Sequence, residues 1–143
     1  MINVSKGKKS LLVFNEELEL IEKELKKNVI RTANSRQNPQ NPLRPGKEIT
    51  YDKSGNVEPN SKTGISLAAS VKQLEKIIKP GMKKWLLAVD RESVMPNGFK
   101  LQSDNIHHWS VVTTQPMTKD DYDKKVKKII KNWRVMGRFV RYE

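Results

Sequence analysis

The stretch KKWLLAVD, Lys83 to Asp90, constrains the fold of this chain more than any other. Every residue from Trp85 to Val89 is apolar, with lysines before the run and Asp90 after it. A short apolar run without alternation reads as a strand buried on both faces, and so as a central strand of a sheet. Helix patterns surround it. In FNEELELIEKELKKN, Leu18, Ile21 and Leu25 share one stripe and Asn15 stands as the cap. Glu16 and Glu17 oppose the positive end of the helix dipole, and Lys26 and Lys27 the negative end. Ser70 and Gln73 form a capping-box pair before a second helix, whose apolar face is Val71, Leu74, Ile77 and Ile78. Pro80-Gly81 stops it. Thr118 opens the last helix, with Tyr122, Val126, Ile129, Ile130 and Trp133 on one face and lysines over the rest.

Further strands are expected at Val29 to Ala33, Ile49 to Tyr51, Gly64 to Leu67, Trp109 to Thr114 and in the terminal GRFVRY. Asp52 to Asn56 reads as a turn, signalled by Ser54-Gly55. Asn34 to Lys47, NSRQNPQNPLRPGK, contains Pro39, Pro42 and Pro45, which forbid a helix or a central strand. It is a long loop of the kind that often carries function. RESVMPNGFKLQSDN, Arg91 to Asn105, reads as another loop, with Pro96 and an Asn97-Gly98 turn. Strands and helices do not alternate regularly, so the class is α+β rather than a βαβ array. There is no internal repeat and no linker, so 1–143 is expected to be one domain.

Charge bears on partners. The chain has 28 Lys+Arg against 16 Asp+Glu, a net charge of +12. A small protein this basic favours polyanions or an acidic partner, although a lysine-rich solvated surface gives the same count. The absence of cysteine removes disulfides, thiolate metal ligands and thiol nucleophiles. No apolar run reaches the roughly 18–20 residues of a membrane helix. Leu11 to Phe14 is too short for a secretory h-region of about 7–15 residues.

The only two histidines, His107 and His108, stand side by side at the start of the expected Trp109 strand. Adjacent strand residues leave on opposite faces and do not easily share one ion. With no HExxH and no Cys/His cluster, no metal site is expected. There is also no GxGxxG after a strand and no Walker-type phosphate loop. A ribonuclease could be built from His107 or His108 with Arg36 or Arg44, as acid–base groups and a phosphorane-stabilising cation. Glu58 and Glu92 are loop carboxylates that could act as acid or base. The basic face of the last helix could meet phosphates, yet Tyr122 and Trp133 lie on its apolar stripe and leave no aromatic there for base stacking.

Two stretches in this order resemble the Tse2-type ADP-ribosyltransferase toxins of bacteria. They are LRPGKEITYDKSGNVEPNSKTGISLAAS, Leu43 to Ser70, and VMPNGFKLQSDNIHHWSVVTTQPMTKDDY, Val94 to Tyr122. The resemblance implies an enzyme that uses NAD to modify a target, or consumes it. It implies an α+β fold with two small β-sheets flanking an NAD cleft and about three helices. Ser66 would be the serine that orients the dinucleotide, with Ile65 where the family has a threonine. His108, just before the aromatic Trp109, would bond a ribose hydroxyl, and His107 would be a spacer or packing residue. Arg44 would pair with the pyrophosphate, as a guanidinium binds phosphate in a fork. Arg31 would be a second NAD-binding arginine. No metal is implied, and no glutamate falls on a later strand as an oxocarbenium-stabilising carboxylate; Glu92 lies in a loop.

A toxin of this kind implies a cognate antitoxin or immunity protein, expected to be acidic to match the charge. It would act in the cytoplasm of the producing or target bacterium, with delivery by a secretion system left open. Two other classes stay open: a small basic nuclease toxin, and a non-enzymatic domain binding RNA or an acidic partner. Ser66 separates them, because only the first reading needs it.

Overall fold

The computed structural model describes residues 15–33, 51–59 and 64–140. Its elements run α1 (Asn15–Lys27), β1 (Asn28–Ala33), β2 (Ile65–Ala68), α2 (Val71–Ile77), β3 (Lys83–Asp90), β4 (Phe99–Ser103), β5 (His108–Thr113), α3 (Lys119–Lys131) and β6 (Arg134–Val140). The strands form one antiparallel sheet in the order β4-β5-β2-β1-β3-β6. The class is α+β with three helices, as expected. The two small sheets expected on either side of a cleft are a single sheet among the described residues. β2 pairs with β5 from Ile65↔Val111 to Ala68↔His108, and the pairing Ile30↔Ala68 joins that half to β1.

β3 lies between β1 and β6, and Leu86 to Val89 are all buried. Leu86 belongs to a core with Ile21 and Leu25 of α1 and Leu74 of α2. Leu87 and Val89 belong to a second core, with Val126, Ile129 and Ile130 of α3. The apolar run thus feeds one core on each side of the sheet, and each fully buried aliphatic side chain contributes about 1.5–3 kcal/mol. The helix starts follow their caps. Ser70 Oγ accepts from Gln73 N at 3.1 Å, and Thr118 Oγ1 from Asp121 N at 3.1 Å. The side chains of Asn15 and Leu18 lie outside the described residues, as do the Pro-rich loop with Arg36 and Arg44, and residues 49 and 50 of the expected strand.

Asp52 Oδ1 accepts from Ser54 N at 2.8 Å and Asn56 N at 2.9 Å, forming the expected turn. Tyr51 bridges Val57, and Val57 exchanges backbone bonds with Met117. Two further expectations need correction. Arg91 to Asn105 is not all loop, because Phe99–Ser103 is the edge strand β4. Phe99 is buried with its ring 5.7 Å from that of Tyr122, and Leu101 packs against the same core. Lys100 and Gln102 alternate with them. The last strand starts at Arg134 rather than Gly137. Gly137 has φ +144° and pairs with Leu86, where the register shifts between Leu86 and Leu87. The glycine that marked the expected start is a bulge position inside the strand.

Candidate functional site

Parity of the strands defines the site. Ile65, Leu67, Phe99, Leu101, Trp109 and Val111 belong to the core shared with α3. Ser66, Gln102, His108 and Ser110 therefore leave the sheet on the opposite face. Register lines up Gln102, Ser110 and Ser66 in one row across β4, β5 and β2, with His108 opposite Ala68 beside it. On this same face α1 and α2 pack over Ile30, Ala68 and Leu86. The structure thus brings Ser66 and His108 to one face.

The β4–β5 connection adds a carboxylate. Asp104 N donates to His108 O at 2.9 Å, and Asn105 Oδ1 accepts from His107 N at 2.8 Å, which shapes the turn. This turn brings the Asp104 side chain back onto the strand it precedes. Asp104 Oδ2 lies 2.7 Å from His108 Nδ1 and accepts from Ser110 Oγ at 2.5 Å. Asp104 Oδ1 accepts from Gln102 Nε2 at 2.9 Å. The His108 and Asp104 side chains are 28% and 20% exposed, enough for a ligand to reach the ring. A carboxylate-held imidazole with its other nitrogen outward is equipped to exchange a proton or to bond a hydroxyl.

His107 has a different task. It precedes the strand, and its Nδ1 lies 2.7 Å from Ser70 Oγ, the cap of α2. Its carbonyl accepts from Ala69 N at 2.8 Å. It fastens the start of β5 to the junction of β2 and α2.

Arg31 does not join the Ser66 and His108 side chains. It lies on β1 between Val29 and Ala33, which belong to the α3 core, and is only 8% exposed. Its Nη1 donates to the Ser66 carbonyl at 3.0 Å, so it supports β2 through the main chain. Arg44 lies outside the described residues. Glu92 is exposed, and Glu58 bonds through its carbonyl to Thr113 Oγ1 at 2.6 Å. Among the described residues neither carboxylate enters the hydrogen-bond cluster of His108.

Asp104, Ser110 and Gln102 escaped the sequence reading. The signal was present as D-x-x-x-H-x-S, with His108 and Ser110 two apart on a strand, but it is visible only once Phe99–Ser103 is read as the partner strand. Arg91 was also missed. It donates to Leu25 O at 2.6 Å, at the C-terminal end of α1, and its guanidinium lies 5.1 Å from the Trp109 ring centroid. A cavity of about 660 Å³ opens among Val89, Met95, Lys128, Trp133 and Arg134. It is on the α3 side of the sheet, away from the His108 face. Asp90 and Lys128 line it, but it holds no carboxylate-oriented histidine, so the cluster is the better candidate site.

Among the described residues no group of three or more His, Cys, Asp or Glu side chains could hold a metal ion. No described helix is long and apolar enough to cross a membrane. No protein-family model matches the chain, and no curated protein or solved structure matches it either.

Proposed function

We propose that the chain is a bacterial toxin of the ADP-ribosyltransferase type, using NAD to modify a target or consuming it, with its site on the β4-β5-β2 half of the sheet. The observation that carries this reading is His108, oriented by Asp104 and set beside Ser66 on one face. The residues fit the ligand's chemistry. Ser66 can bond a ribose hydroxyl, His108 can bond a hydroxyl of the ribose or of the group that attacks it, and Arg44 would supply a guanidinium for the pyrophosphate. Arg31 holds the strand that carries Ser66. Loss of nicotinamide builds positive charge on the ribose, so the site must chiefly orient that sugar in a polar, ordered setting. Groups on paired strands meet that need better than groups on a loop. No metal enters this reading. The partner would be an acidic antitoxin or immunity protein, and the site of action the cytoplasm of the producing or target bacterium, reached in the second case through a secretion system.

The test is incubation of the protein with labelled NAD and a cell lysate, followed through the label. Transfer to a macromolecule or release of free ADP-ribose supports the reading; no binding and no turnover at millimolar NAD contradicts it. The Asp104–His108 pair also suits the runner-up, a small basic nuclease, since an oriented histidine can serve phosphodiester cleavage. Cleavage of added RNA without NAD, abolished in His108→Ala, would favour that alternative.

A further inference from the structure

We infer that Asp104 fixes His108 as a base aimed at a hydroxyl, so that the acceptor of ADP-ribose is a hydroxyl group, of water or of an alcohol, and not a guanidinium. This rests on the NAD-dependent reading of the site. An ionised carboxylate only accepts hydrogen bonds. Facing Asp104 Oδ2 at 2.7 Å, a ring with a single proton carries it on His108 Nδ1 and has its lone pair at Nε2. Gln102 and Ser110 hold the same carboxylate from two further directions, which restrains it from turning away. Among the described residues no hydrogen bond engages Nε2 of His108. The neighbouring imidazole, that of His107, is held differently. Its Nδ1 meets the Ser70 hydroxyl at 2.7 Å, a group that can donate or accept, so no carboxylate fixes its tautomer. Of the two adjacent rings, His108 is the one whose Nδ1 is held by a carboxylate.

The lone pair at Nε2 selects the acceptor. As a hydroxyl oxygen bonds to the ribose carbon its proton becomes strongly acidic, and a neutral imidazole takes it. The C1′–N bond to nicotinamide breaks and its electron pair leaves with the neutral nicotinamide. The C1′–O bond forms, and the hydroxyl proton passes to His108 Nε2 and on to solvent. A guanidinium keeps its protons at neutral pH and is bound by a carboxylate fork. The carboxylate of this cluster has both oxygens engaged by Gln102, His108 and Ser110. Asp104 is thus a positioning residue, acting through His108.

Two measurements test this. Nitrogen-15 NMR of the full chain, at a pH where the ring is neutral, should show His108 protonated at Nδ1, and Asp104→Ala should move that proton to Nε2. A wild-type ring protonated at Nε2 overturns the orientation, whatever the activity. The second mixes the enzyme with NAD, methanol and agmatine. ADP-ribose or its methyl glycoside supports a hydroxyl acceptor, the first product identifying water and the second an alcohol. An agmatine adduct overturns the acceptor proposal and leaves the NAD reading standing. No turnover of NAD by wild type overturns both. Asp104→Asn, which keeps an acceptor without the charge, should lower kcat about 100-fold with KM little changed. An Asn variant that is folded and fully active contradicts the role.

Discussion

Arg31 serves the site without facing it. Its guanidinium is buried and donates to the Ser66 carbonyl, where β1 and β2 share only the registered pair Ile30↔Ala68. Arg31→Met should therefore lose about 1–3 kcal/mol of stability, the worth of a hydrogen bond from a charged donor. Chemical denaturation checks the loss. A variant of unchanged stability that no longer binds NAD would show the arginine to be a ligand contact instead. The sequence named Ser66 and His108 through a motif resemblance, and strand parity places both on one face. It could not orient Arg31, because parity across the sheet depends on which core each neighbour joins. Nor could it find Asp104, whose carboxylate reaches His108 only through the geometry of the turn.

At the scale of elements, the β2–β5 contact positions the site, and Gly64 permits it. A Cβ at Gly64 would stand 2.2 Å from the Val111 carbonyl oxygen, a backbone atom that cannot move aside cheaply. Gly64→Ala should force β2 from β5, cost about 1–3 kcal/mol or more, and disturb the Ser66–Ser110 row. Thermal unfolding together with NAD turnover would read both effects, and an alanine variant of wild-type stability would contradict the close pairing. Ser70→Ala should cost about 1 kcal/mol through loss of the α2 cap, while turnover per folded molecule persists. The helices were legible because caps and 3.6-residue periodicity are local signals. β4 was not, because its five residues sit between two strong turn signals and its strand character rests on pairing with β5. The single sheet was hidden for a similar reason: its halves are joined by residues far apart in sequence.

At the scale of the whole molecule, the net charge of +12 is displayed in part along α3, where Lys124, Lys127, Lys128 and Lys131 are exposed while Tyr122, Val126, Ile129 and Ile130 are buried. Such a surface favours fast, salt-sensitive association with an acidic partner. The proposed toxin function predicts that expression without an acidic partner arrests bacterial growth and that expression of His108→Ala does not. The central claim, an NAD site built on His108, is tested most directly by measuring NAD turnover by wild type, His108→Ala and His107→Ala side by side. The account predicts that wild type turns over NAD, that His108→Ala has lost this activity, and that His107→Ala retains it. No turnover by wild type, or a dead His107→Ala beside an active His108→Ala, would contradict it.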